Sequence, residues 1–169
     1  MPTPVEPGSN DQPAPARSVF ARYTERARVI VFFARREANA HRSPEIGTEH
    51  LLLGLLRGDR RLARKALGSG TFIQRYISSA SAMKSIRHNV TAFGEASISD
   101  QTLPLTIELR RVLRNAAEEA NRRGDKHVRS KHLLLGLLAE AGSLGATLLN
   151  QEGVTLQSVR ANLGEYTVI

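Results

Sequence analysis

The heptapeptide HLLLGLL occurs twice in the chain, as His50–Leu56 and as His132–Leu138. Aligning the sequence with itself at an offset of 82 brings much more than these two stretches into register. Thr24 falls on Thr106, Arg28 on Arg110, Ala34 on Ala116, and the EAN of Glu37–Asn39 on the EAN of Glu119–Asn121. From Thr24 to Leu67 no gap is needed and 15 of 44 positions are identical, so the chain is a duplicated unit.

Each unit reads as helical. Ala27, Ile30, Val31, Ala34 and Ala38 recur at three- and four-residue spacing, and Leu109, Val112, Leu113, Ala116 and Ala120 repeat that stripe. Thr24 and Thr106 stand just before the stripes, where a hydroxyl can accept from a first-turn amide, and Glu25 adds a charge favoured at that end. Thr48 and Ser130 read as caps of the second helices, which the heptapeptide fills with leucine. Gly54 inside such a helix implies close approach of another backbone. Two shorter helices are expected after each heptapeptide, at about 60–67 and 72–79, then 143–150 and 156–163, with Gly68, Gly70 and Gly153 at turns.

The expected fold is therefore all-α, with eight helices in two tandem four-helix repeats related by pseudo-two-fold symmetry. Repeat one covers about 20–80, a Ser- and Thr-rich connector 81–103, and repeat two 104–164. Residues 1–19 hold five of the seven prolines and read as a disordered tail, and 165–169 as a short C-terminal one.

Composition narrows the function. The absence of cysteine removes disulfides, thiolate metal sites and thiol catalysis. His41, His50, His88, His127 and His132 form no two-histidine, one-turn motif, so no metal is expected. No apolar run suits a signal peptide or approaches the ~18 residues of a membrane span, and a cytoplasmic protein is expected. A net charge of +8 with pI near 10.7 raises a nucleic-acid partner. The arginines are spread along the chain, so a basic helical nucleic-acid binder stands as the alternative reading and a generally solvated surface as the leading one.

YTERAR at Tyr23–Arg28, IGTEHLLLGLL at Ile46–Leu56, and the later LT at Leu105–Thr106 with SKHLLLGLL at Ser130–Leu138 together resemble the double Clp N-terminal domain. That family receives substrates and adaptors for Clp-type unfoldases such as ClpC and ClpA. The resemblance covers about 20–164. It implies a non-catalytic protein-binding module, acting as accessory or decoy of a ClpC-type unfoldase. The sequence has no Gly-Lys pair and so no G-x-x-x-x-G-K-[ST] loop to cradle a triphosphate; no ATP hydrolysis and no cofactor are expected.

The resemblance further implies recognition of phosphorylated arginine, one site per repeat. Helix-start amides with the Thr24 hydroxyl suit a phosphoryl group, and Glu49 suits a guanidinium; Thr24 and Glu49 are expected to act together. In repeat two Thr106 is kept, but Gly47, Thr48 and Glu49 are matched by Arg129, Ser130 and Lys131, so that site is expected to be lost or to take another anion. Adaptors and, as in some actinobacterial members, antibacterial cyclic peptides are further implied ligands. Phe20 and Tyr23 are the candidate aromatic contacts ahead of the first helix, against the alternative that they only staple it; the counterpart of Tyr23 is Leu105. Phe32 and Phe33 fall opposite Arg114 and Asn115, which leaves open a contact surface or simple packing. His50 and His132 are expected to make local structural hydrogen bonds.

Overall fold

The computed structural model describes residues 20–66 and 103–164. Among them are seven helices: α1 (Glu25–Ala40), α2 (Thr48–Gly58), α3 (Arg60–Ala66), α4 (Ile107–Arg122), α5 (Ser130–Ala139), α6 (Leu144–Gln151) and α7 (Leu156–Gly164). The helix expected at 72–79 and the turns at Gly68 and Gly70 lie outside the described residues.

The two long hairpins, α1 with α2 and α4 with α5, carry most of the packing. The predicted stripes are the buried ones: Ala27, Ile30, Ala34 and Ala38 are fully covered, as are Val112, Ala116 and Ala120. The conserved spacing of small residues lets the helices nearly touch. A Cβ on Gly136 would lie 2.5 Å from the Val112 carbonyl oxygen and 2.7 Å from the Ala116 nitrogen, and one on Gly54 would press on the Ile30 carbonyl and stand 3.0 Å from the Ala34 nitrogen. The glycine of each heptapeptide is thus the point where one backbone rides on another.

The hairpin turns show the duplication at finer grain. Arg42 takes a left-handed φ of 52°, and its counterpart 82 residues later is Gly124 at 69°. Thr24 and Thr106 are N-caps as expected, their hydroxyls accepting from Ala27 at 3.3 Å and Leu109 at 3.2 Å. Ser143 caps α6 in the same way. Thr48 and Ser130 are not caps. The cap positions are Gly47 and Arg129, and the buried Thr48 and Ser130 are already helical. The side chain closing each helix start is an imidazole: His50 Nδ1 accepts from Gly47 N–H at 2.9 Å and His132 Nδ1 from Arg129 N–H at 3.0 Å. This is the return arm of a capping box made by histidine, and the local structural role expected of both histidines. Thr48 instead accepts from Gly145 N–H at 3.1 Å, tying α2 to α6.

Each repeat also buries the glutamate of its EAN triplet, a charge that needs partners once out of water. Glu37 is held by Arg57, and Glu119 by Arg122 and Arg160. Arg57 also lies 5.5 Å over the Phe33 ring, leaving Phe32, 56 % exposed, as the uncovered member of that pair.

The halves are joined by two short parallel backbone pairings. Tyr23 pairs with Val128, and Leu105 with Ile46. These are one contact written twice, since adding 82 to the first residue and subtracting 82 from the second turns either pair into the other. That exchange is the mark of a two-fold axis. Thr24 N–H donates to Val128 O at 3.0 Å and Val128 N–H to Arg22 O at 2.9 Å; Ile46 N–H donates to Pro104 O at 2.8 Å and Thr106 N–H to Ile46 O at 3.0 Å.

Gly136→Ala is expected to destabilise the protein by about 1–3 kcal/mol or more, because the added methyl meets unyielding backbone. Chemical denaturation checks this, with Gly142→Ala, where a Cβ meets nothing within 4 Å, as the control.

Candidate functional site

The pairings decide which residues can form a site. Thr24 opens α1, but α1 and α2 run antiparallel, so the start of α2 lies by the end of α1: the His41 and His50 rings are 5.9 Å apart. Sixteen helical residues, roughly 24 Å at 1.5 Å each, separate the Thr24 end from that one. The expected partnership of Thr24 with Glu49 is therefore wrong. Each helix mouth is completed by the other repeat. Thr106 is hydrogen-bonded to Ile46, two residues before Thr48 and three before Glu49, while Thr24 is hydrogen-bonded to Val128, immediately before Arg129, Ser130 and Lys131.

At the mouth of α4, Thr106 and the first-turn amides of Ile107 and Glu108 adjoin the approach to α2, with Ile46 three residues before Glu49. Such amides have no acceptor within their own helix. Ile107 and Glu108 are exposed and Thr106 and Leu105 half-buried, so this end faces solvent. The Glu49 side chain is 36 % exposed and folds back over Gly47: a Cβ on Gly47 would be 2.7 Å from the Glu49 carboxyl carbon. Its Oε1 is 3.3 Å from His50 Nδ1, but that nitrogen already accepts from Gly47 and has no proton to give. Burial lowers the His50 pKa, which favours the neutral ring, with Glu49 opposing the shift. Among the described residues no donor engages the carboxylate.

The mouth of α1 has the same frame and opposite charge. Glu25 and Arg26 are exposed in its first turn, and Arg129 and Lys131 stand where the other mouth has Gly47 and Glu49. The two replacements belong together. With no carboxylate folded over position 129, a side chain fits there. Lys131 Nζ reaches back to Asp125 at 2.8 Å, and the same Asp125 oxygen accepts from His132 Nε2 at 2.9 Å. The Lys131 hydrogen bond is the main cause of a lowered Asp125 pKa. Burial first, and Lys131 second, push His132 down to about 4, leaving it neutral with its proton on Nε2. Ser130 is 5 % exposed.

Tyr23 is likewise not a surface handle. It is 4 % exposed, its hydroxyl reaches toward Leu113 O at 3.5 Å, and burial pushes its pKa up to about 12. Phe20, half-buried, meets it edge-on with ring centres 5.1 Å apart. The pair staples the entry to α1 and leaves Phe20 as the aromatic at that mouth. Sequence reasoning missed Asp125 and Arg22. Arg22 clamps the junction through Asn121 Oδ1 at 2.8 Å and the Lys126 carbonyl at 3.3 Å. Only the offset alignment, with Ser43 opposite Asp125, hinted that this corner had changed.

The chain matches the family described as Clp repeat (R) N-terminal domain over 22–151 and again over 104–168. The chain belongs to the Clp repeat N-terminal domain family. It is 34 % identical over 146 residues to the negative regulator of genetic competence ClpC/MecB of Bacillus subtilis, a match covering 84 % of this chain and 16 % of that protein. It is 32 % identical over 143 residues to the chaperone protein ClpB of Oceanobacillus iheyensis, covering 84 % and 17 %. The chain thus spans about a sixth of the length of these curated relatives. The N-terminal domain of the Clp protease-associated chaperone ClpD from Arabidopsis thaliana superposes with a TM-score of 0.62 at 26 % identity, covering 89 % of this chain and 97 % of that one. The Candida albicans Hsp104 N-terminal domain, at 14 % identity and a TM-score of 0.58 over 83 % and 87 % of the two chains, shares the fold. Among the described residues no single helix is long and apolar enough to cross a membrane.

A neutral buried histidine makes stability depend on pH in a fixed direction. The folded His132 pKa of about 4 lies below the ordinary 6.5, so the unfolded chain takes up the proton first. Stability is complete above about pH 6.5 and falls as pH drops toward 4, by on the order of 2 kcal/mol. Urea midpoints at pH 7 and pH 4.5 check this. His132→Gln should flatten the dependence, leaving the smaller part in the same direction that belongs to His50.

Proposed function

We propose that this Clp N-domain chain is a non-catalytic receptor of Clp-dependent proteolysis, with the mouth of α4 as its phosphoarginine-type site. The observation that carries the reading is the Thr106–Ile46 hydrogen bond, which seats a solvent-facing helix start beside the α2 start that bears Glu49. Phosphoarginine is an anion fused to a cation through one nitrogen. The Ile107 and Glu108 amides suit its phosphoryl oxygens, and Glu49, with no donor already engaging it among the described residues, suits the guanidinium in a charge-assisted contact. Neither half alone would separate the modified side chain from a free phosphate or an ordinary arginine.

The role follows from the same parts. Arginine-phosphorylated substrates or adaptors bound here would be delivered to, or withheld from, a ClpC-type unfoldase, as accessory or decoy. Phe20, Leu105 and the neighbouring apolar surface extend the reading to adaptors and cyclic peptides.

Isothermal titration with a phosphoarginine peptide tests the assignment. Glu49→Gln and Thr106→Ala are each expected to weaken binding about tenfold or more, the loss of one charge-assisted contact. Thr24→Ala should leave it unchanged. Binding that depends on Thr24 and ignores Thr106 would overturn the assignment.

A further inference from the structure

The other mouth opens into a groove of about 630 Å³ between the repeats, in the size range of ligand pockets. Six positive side chains line it: Arg26 from α1, Arg61, Arg64 and Lys65 from α3, and Arg129 and Lys131 at the start of α5. Among the described residues two carboxylates offset them. Asp59 accepts from Leu62 N–H at 3.0 Å and stands 3.7 Å from Arg26, while Asp125 holds Lys131. Arg61, Arg64 and Arg129 have no carboxylate partner among the described residues, so the groove stays positive after both are counted. Leu62 and Leu163 give it an apolar floor.

We propose that this groove binds an acidic peptide segment of a partner protein, with aspartate and glutamate side chains on the arginines and an aliphatic side chain on the two leucines. The lining excludes the ligand of the opposite mouth, because Lys131 occupies the position of Glu49 and repels a guanidinium. It also disfavours a nucleic acid. Among the described residues no aromatic side chain lines the groove for a base to stack on, and its cations surround a pocket instead of following a strand. Carboxylates alternating with an aliphatic group match both the charge and the floor. This extends the reading of the chain as a peptide receptor but uses none of the residues assigned to phosphoarginine.

Fluorescence anisotropy at about 0.15 M salt with the full chain tests it, using a labelled peptide in which a leucine is flanked by glutamates and aspartates. Arg64→Glu with Arg129→Glu should weaken binding at least tenfold while the circular-dichroism melt stays in place; neither side chain makes an ion pair among the described residues. Lys131→Gln should weaken it less, since Asp125 already holds that amine. The Gln/Asn version of the peptide should not bind, and replacing its leucine with serine should cost several-fold. Glu49→Gln should leave this affinity unchanged while weakening phosphoarginine binding, so each reading fails in its own arm. Equal affinity for the Arg64→Glu/Arg129→Glu variant, or tighter binding of a single-stranded oligonucleotide of the same charge, would overturn the proposal.

Discussion

Four backbone hydrogen bonds, two at each end of the pseudo-dyad, set the working geometry of this chain. They run between residues about 60 or 105 positions apart and link the approach to each long helix with the approach to the opposite repeat's second helix. Each is an ordinary amide–carbonyl contact with a modest net contribution of its own, about 1 kcal/mol. Their importance is directional. By consuming the Thr24 and Thr106 amides and the Val128 and Ile46 carbonyls, they fix how each helix start is aimed and which side chains of the other half stand beside it. The close glycine crossings at Gly54 and Gly136 then hold each hairpin rigid enough for that aim to persist.

Seen from these junctions, the divergence of the two mouths has a simple physical logic. The carboxylate of Glu49 needs an empty position at 47, so glycine and glutamate come as a set. Once Glu is replaced by Lys, the position two residues earlier is free to carry Arg, and Asp125 appears where the new amine can reach it. A charge inversion that would otherwise leave a lysine beside a buried histidine is thereby accommodated locally. His132 stays neutral and donates to the same carboxylate.

Much of this architecture was legible in the residues. The stripe from Ala27 to Ala38, the intrusion implied by Gly54, and the hydroxyl caps at Thr24 and Thr106 all follow from period and local chemistry, which one strand of sequence displays in full. What local patterns do not carry is the partner of each element. Thr24 and Glu49 look like companions because they are close in sequence and sit in one repeat, yet an antiparallel hairpin puts them at opposite ends of a 16-residue helix. Thr48 and Ser130 looked like caps by their hydroxyls, but the job is done one residue earlier with an imidazole from the third helical position. For Tyr23 local pattern left a surface contact and a staple both open, and the second repeat closing over it decides for the staple.

The reciprocal pairing has a bearing on how such a chain diversifies. Two separate copies of one unit, docked about the same axis, would be forced to present identical openings, because every alteration would appear in both. Covalent fusion removes that tie. Yet the inheritance is diagonal: an alteration in the second helix of the earlier half is felt at the opening of the later half, and the reverse. Neither half, cut away from its sibling, contains a finished opening, so selectivity here belongs to the seam and not to either unit.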